Sequence, residues 1–255
     1  MSLFDSVEAI NVLIVGASQG IGLEFVRQLL KDAQVGYVFA TYRHTPSPEL
    51  GAWMEHEPRR LILITMDVTD EAQIAQGVAQ IQQHTPHLHL VVYCVGLLHD
   101  GDLQPEKSLQ QIQPERLMRY FQVNSIGAVL LAKHIIPLLK HRERSVFASI
   151  SAKVGSIGDN QIGGWYGYRA SKAALNMFLR TVAIEYQRKS PNTLVVMLHP
   201  GTTDTRLSKP FQRGVPPEKL FSVERTVAQL LQVISNLQPE DSGQFFSWDG
   251  SPLPW

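Results

Sequence analysis

Short, nearly continuous apolar runs alternate along this chain with longer stretches in which apolar residues return every three or four positions. The runs at residues 11–15, 37–41, 61–65, 90–95, 145–150, 194–198 and 244–248 read as strands covered on both faces. Helical periodicity falls between them, at residues 22–32, 71–84, 115–141, 168–189 and 223–236. This alternation predicts right-handed crossovers and a doubly wound α/β domain, with a seven-stranded, mostly parallel sheet between two helical layers. No repeat, low-complexity tract or linker divides residues 1–255, so a single domain is expected.

Two irregular stretches, residues 155–167 and 204–222, follow expected strands on the edge where open α/β sheets bind ligands. Lys+Arg and Asp+Glu balance at 23 each, which removes any net field toward nucleic acid or an anionic membrane. Cys94 is the only cysteine, so no intrachain disulfide is possible. Met1 to Ile10 lacks the basic and apolar blocks of a signal peptide, and residues 128–139 are too short to cross a bilayer. A cytoplasmic location is the resulting expectation, with neither nucleic acid nor membrane as partner and no metal site.

The first strand runs directly into Gly16-Ala17-Ser18-Gln19-Gly20-Ile21-Gly22. Gly16 permits a tight turn, Gly20 lets backbone N–H groups approach a pyrophosphate, and Gly22 lets the helix pack closely on the sheet. The anion is met by the free amides and positive end of that helix. The second strand ends Ala40-Thr41-Tyr42-Arg43-His44, without the carboxylate that would bind a ribose 2′-OH and with an arginine suited to a 2′-phosphate. NADP(H) is therefore favoured over NAD(H).

Tyr168 and Lys172 stand four apart at the head of a helical pattern and share one face. A neighbouring ammonium is expected to lower the phenol from its usual pKa of about 10 toward the range useful for proton exchange. Tyr168 would then give a proton to a carbonyl oxygen as hydride reaches carbon, or take it back on oxidation.

With these two motifs in place, the chain resembles a short-chain dehydrogenase/reductase of Rossmann fold over essentially its full length. The resemblance implies an adenine contact at Asp67-Val68, a supporting Asn124 that orders a water linked to Lys172, and a ribose contact for Lys172. It implies a nicotinamide segment in Pro200-Gly201-Thr202-Thr203-Asp204-Thr205, with Thr205 on the carboxamide. It also implies a homodimer or homotetramer built through the helices at 115–141 and 168–189. Two departures stand out. The family's N-N-A-G is here Tyr93-Cys94-Val95-Gly96, and its S-S-x-x-G is Ser151-Ala152-Lys153-Val154-Gly155. Ala152 thus aligns with the catalytic serine, leaving Ser151, Ser156 or neither to supply the hydroxyl. The run from Val154 through Trp165 to Tyr168, and the ending Trp248 to Trp255, are similar to the branch holding bacterial C-factor proteins and the insect carbonyl reductase called sniffer. That branch implies NADPH-dependent reduction of a small carbonyl compound, or oxidation of the matching alcohol. The substrate would meet Ser151, Ser156, Trp165 and Tyr168. Two other readings stay open: a cofactor-sensing signalling protein with little turnover, and a sugar-nucleotide epimerase.

Overall fold

The computed structural model describes Val7 and residues 9–255. The signal-peptide reading of Met1 to Ile10 therefore rests largely on residues outside the described ones. Among the described residues nine strands form: β1 (Ile10–Val15), β2 (Val35–Tyr42), β3 (Leu61–Thr65), β4 (Leu90–Tyr93), β5 (Ser145–Ile150), β6 (Thr193–His199), β7 (Thr202–Thr203), β8 (Leu220–Phe221) and β9 (Phe245–Ser247). Seven of them make one sheet in the order β3-β2-β1-β4-β5-β6-β9, and every neighbouring pair is parallel.

The helices are α1 (Gly20–Leu30), α2 (Pro48–His56), α3 (Glu71–Gln82), α4 (Pro114–Phe121), α5 (Gly127–Leu139), α6 (Tyr166–Lys189) and α7 (Val223–Asn236). Strand alternation sends successive side chains to opposite layers. Val12 and Ile14 of β1 join Phe25, Val26 and Leu230 of α1 and α7. Leu13 and Val15 join Ile74, Leu131 and Leu175 of α3, α5 and α6. Both faces being covered explains why the strands read as unbroken apolar runs. Strand order reverses between β1 and β4, where Val15 pairs with Tyr93, so a crevice opens beyond those two carboxyl ends.

Four features depart from the sequence reading. The helix expected over 115–141 is interrupted by a π-helical turn at Gln122–Ile126 between α4 and α5. The continuous helix Pro114–Leu139 spans 26 residues, so it is long and apolar enough to cross a membrane, contrary to the shortness inferred for 128–139. Its most apolar window is 56% buried inside the protein, as in a core helix. Helix α2 was not expected, although Ser47 caps it by accepting from the Leu50 amide and Pro48 opens it. Residues 204–222 are also less irregular than they read, because β7 and β8 pair as a small parallel ribbon around two 3-10 turns.

Candidate active site

The glycine turn lies at the head of the crevice. A Cβ on Gly22 would stand 2.2 Å from the Gly16 carbonyl oxygen, so only glycine lets α1 start this close to the turn. A Cβ on Gly20 would point across to Thr205 Cγ2 at 3.3 Å, which places Thr205 opposite the turn. Ser18, Gln19 and Ile21 lie within the turn. The Gly16 amide donates to Thr41 Oγ1 at 3.0 Å, tying the turn to the end of β2. Helices α2, α3 and α7 are capped by Ser47, Asp70 and Ser222, whereas Gln19 makes no side-chain cap and the first turn of α1 holds no acid. Amides left open in this way fit a pyrophosphate.

Arg43 is exposed just past β2, with no hydrogen bond or ion pair among the described residues. Asp67 lies near it. Burial raises the Asp67 carboxyl, but hydrogen bonds from the Thr69 amide and hydroxyl, with Arg43 and Arg119 nearby, hold it below its usual value. Val68 is buried in the core against α5. After β6, Thr203 Oγ1 pairs with Thr226 Oγ1 at 2.9 Å and donates to the Pro200 carbonyl at 3.2 Å, bracing the turn at Gly201.

Tyr168 is 6% exposed, and its hydroxyl has no partner among the described residues. Its surroundings are apolar or aromatic: Leu97, Leu98, Leu103, Tyr120, Ala152, Val154, Trp165, Leu207 and Phe211. Trp165 meets the Tyr168 ring edge-on at 6.1 Å and the Phe211 ring at 4.8 Å. His99 Nε2 lies 3.2 Å from the carbonyls of both Arg206 and Leu207, linking the segment after β4 to the loop that brings Leu207 and Phe211 over the site.

Lys172 Nζ lies 6.0 Å from the centre of the Tyr168 ring and donates to the Ile150 carbonyl at 3.0 Å. A Cβ on Gly96 would lie 3.7 Å from that nitrogen, which places Gly96 beside the Lys172 head group. Burial pulls Lys172 down to about 8, with Cys94 acting the other way. Burial also pushes the Tyr168 phenol above its usual value. That direction runs against the acidification expected from the four-residue spacing. The Lys172 ammonium is engaged by a backbone carbonyl, and desolvation favours the neutral form of the phenol.

Both polar ends of the Asn124 side chain are committed. Oδ1 accepts from the Leu97 amide at 2.6 Å, while Nδ2 donates to the Leu97 carbonyl at 2.8 Å and to Ser171 Oγ at 2.9 Å. It clasps the segment after β4 to α6, one residue before Lys172. The Ser151 hydroxyl donates to Asn176 Oδ1 at 2.6 Å, and Ser156 Oγ accepts from the Asp159 amide at 3.2 Å. Neither hydroxyl bonds Tyr168, and Ala152 is the β5-end residue packed with it.

Three contributors escaped the sequence reading. Tyr93, in place of the usual asparagine, donates its hydroxyl to the Val123 carbonyl at 3.1 Å. Tyr120 donates to the Leu98 carbonyl at 2.7 Å, and Glu106 lies buried beside it. Tyr120 lay within an expected helix, but nothing in the aperiodic stretch around Glu106 marks that residue. At the opposite edge of the sheet, His89, His141 and Glu143 bring donor atoms within 4.8 Å of one another. His89 Nδ1 accepts the Asn11 amide at 3.1 Å, so its Nε2 carries the proton it shares with Glu143 at 2.7 Å.

Residues 10–215 match the family described as short chain dehydrogenase. The chain belongs to that family. This short-chain dehydrogenase is 31% identical to the 1-hydroxy-2-glutathionyl-2-methyl-3-butene dehydrogenase of Rhodococcus sp., over 96% of this chain and 99% of the relative. Its fold is similar to the NADPH-bound carbonyl reductase from chicken fatty liver, with a TM-score of 0.86 and 28% identity over 98% of this chain and 99% of that one. It is likewise similar to the carbonyl reductase Sniffer of D. melanogaster, with a TM-score of 0.85 and 25% identity over 98% and 100% of the two chains. The doubly wound sheet and the oxidoreductase class expected from the motifs are both borne out.

Proposed function

We propose that this short-chain dehydrogenase reduces a small, apolar carbonyl compound with NADPH, or oxidises the matching alcohol, with Tyr168 as general acid or base. The observation that carries the reading is the buried, unpartnered Tyr168 hydroxyl amid an apolar cluster, four residues before a buried Lys172. NADPH, when bound, supplies the hydride. The open amides of Gly16–Gly22 hold its pyrophosphate, Arg43 its 2′-phosphate, and Asp67 and Val68 its adenine. Gly96, Lys172, Pro200, Gly201, Thr203 and Thr205 surround its nicotinamide half.

In reduction, Tyr168 Oη hands its proton to the carbonyl oxygen as negative charge develops there, and in oxidation it receives one from the alcohol. A phenol kept protonated by burial suits the first direction. Lys172, charged below about pH 8, stabilises the phenolate left behind. With Ser151 turned toward Asn176, Tyr168 alone holds the substrate oxygen. Trp165, Leu207 and Phe211 exclude water and favour an apolar or aromatic substrate. The carbonyl reductases of similar fold, one of them NADPH-bound, support the same activity and cofactor.

The test is reduction of a panel of aldehydes, ketones and quinones, followed through NADPH absorbance. Tyr168→Phe is expected to lower kcat by about 10²–10⁴-fold with NADPH affinity unchanged. Full turnover in that variant ends the assignment.

Self-association belongs to the same reading. Met118, Ile126, Met177, Phe178 and Ile184 are exposed on α4, the π-turn and α6, and support a homodimer or homotetramer through those helices. Sedimentation should show an oligomer that Phe178→Glu dissociates; a wild-type monomer would contradict it.

A further inference from the structure

Glu106 lies in the irregular stretch between β4 and α4, and only 1% of it is exposed. Its Oε2 accepts the Gly167 amide at 3.1 Å, and its backbone carbonyl accepts the Trp165 amide at 2.5 Å. Its Oε1 is buried without a hydrogen-bond partner, and no Lys, Arg or His forms an ion pair with it among the described residues. A carboxylate removed from water and left without a cation is costly, so its setting must compensate. That setting is the positive end of α6, the helix that carries Tyr168 and Lys172.

Helix α6 has no cap of its own. Trp165, the residue before it, sits in the left-handed region at φ 52° and makes no side-chain cap hydrogen bond. The capping role passes instead to a carboxylate 61 positions upstream. The join is tight, because a Cβ on Gly167 would stand 2.4 Å from the Tyr120 ring and 3.0 Å from Glu106 Oε1. Tyr120 is itself anchored to the Leu98 carbonyl and meets the Tyr168 ring edge-on at 6.4 Å. A local serine or aspartate could cap the helix, but it would not tie the first turn to the segment lining the pocket.

We propose that Glu106 is a positioning residue for the reaction: its buried carboxylate fixes the first turn of α6, and with it the place of the Tyr168 hydroxyl. The proposal rests on the reading of Tyr168 as general acid or base. Glu106 touches neither substrate nor cofactor, and acts through the Gly167 amide. Its loss falls on the chemical step, because a small displacement of a proton donor slows transfer without loosening ligands held elsewhere.

The experiment compares Glu106→Ala and Glu106→Gln in the full chain. It measures kcat and KM for carbonyl reduction, NADPH affinity by fluorescence, and amide hydrogen exchange over residues 164–172. Glu106→Ala is expected to lower kcat by about 10- to 100-fold while KM and NADPH affinity stay within about twofold. Exchange at the head of α6 should accelerate. Glu106→Gln keeps an acceptor oxygen for Gly167 and should restore kcat to within about threefold of wild type. Three results would overturn the proposal: an alanine variant with wild-type kcat, one whose KM or NADPH affinity worsens as much as its kcat falls, or a glutamine variant as impaired as alanine. If Glu106→Ala does not fold, Glu106→Asp replaces it. Its shorter arm should lower kcat at unchanged KM, and wild-type kcat there overturns the proposal equally. A wild-type protein that reduces no carbonyl compound removes the function instead; exchange then reports on the cap alone, and no acceleration in Glu106→Ala would remove that too.

Discussion

The Tyr93 hydroxyl donates to the Val123 carbonyl, fastening the end of β4 to the π-turn that carries Asn124. A wide turn takes carbonyls out of the regular i→i+4 ladder, and a tyrosine reaching from the sheet supplies a donor. Gly127 makes room for it, since a Cβ there would stand 2.7 Å from Tyr93 Oη and 2.9 Å from Val68 Cβ. Tyr93 thus braces this region where the family resemblance implies an asparagine. Tyr93→Phe should lower unfolding stability by about 1–3 kcal/mol, because a buried carbonyl loses its donor. Urea denaturation measures this, and an unchanged midpoint would mean that the bond contributes nothing.

Reduction should be sensitive to pH through Lys172. Burial lowers this lysine from 10.5 to about 8, so it is mostly an ammonium at pH 7 and mostly neutral above pH 9. Its charge stabilises the phenolate left by Tyr168, hence kcat/KM for reduction should fall as pH rises through about 8. The free-enzyme profile checks this. A flat profile from pH 7 to 9.5 would exclude Lys172 charge from the rate.

Arg43 should govern the choice of dinucleotide. Arg43→Ala is expected to weaken NADPH by about 10- to 100-fold, the worth of a charge-assisted phosphate contact, and to leave NADH nearly untouched. Calorimetric titration with each dinucleotide decides it, and equal losses for both would contradict the assignment.

Ser151 should matter for stability and little for turnover. Ser151→Ala takes away the donor to the buried Asn176 Oδ1, costing about 1–3 kcal/mol, while kcat stays near wild type. A large loss of kcat in a well-folded variant would show that the hydroxyl turns to the substrate during reaction.

Much of this protein was readable before its fold was known, because those features are local. The apolar runs, the three glycines at the first turn and the four-residue spacing of Tyr168 and Lys172 each follow from one short segment obeying one periodicity. The doubly wound parallel sheet and the oxidoreductase class follow from placing those segments in sequence. Helix α2 was equally local; its Ser47-Pro48 start carried the signal, and the weakly apolar stretch behind it hid the helix.

What the tertiary structure decided depends on groups far apart in the chain. Glu106 caps a helix that begins 60 residues later, Tyr93 reaches a carbonyl 30 residues away, and Ser151 is turned aside by Asn176. The balance at Tyr168 is of the same kind. Spacing places an ammonium nearby, but only the packed structure shows that the phenol is buried, which pushes it above its usual value. Periodicity specifies which face a residue occupies on its own element; burial and partner choice depend on what the rest of the chain packs against that face.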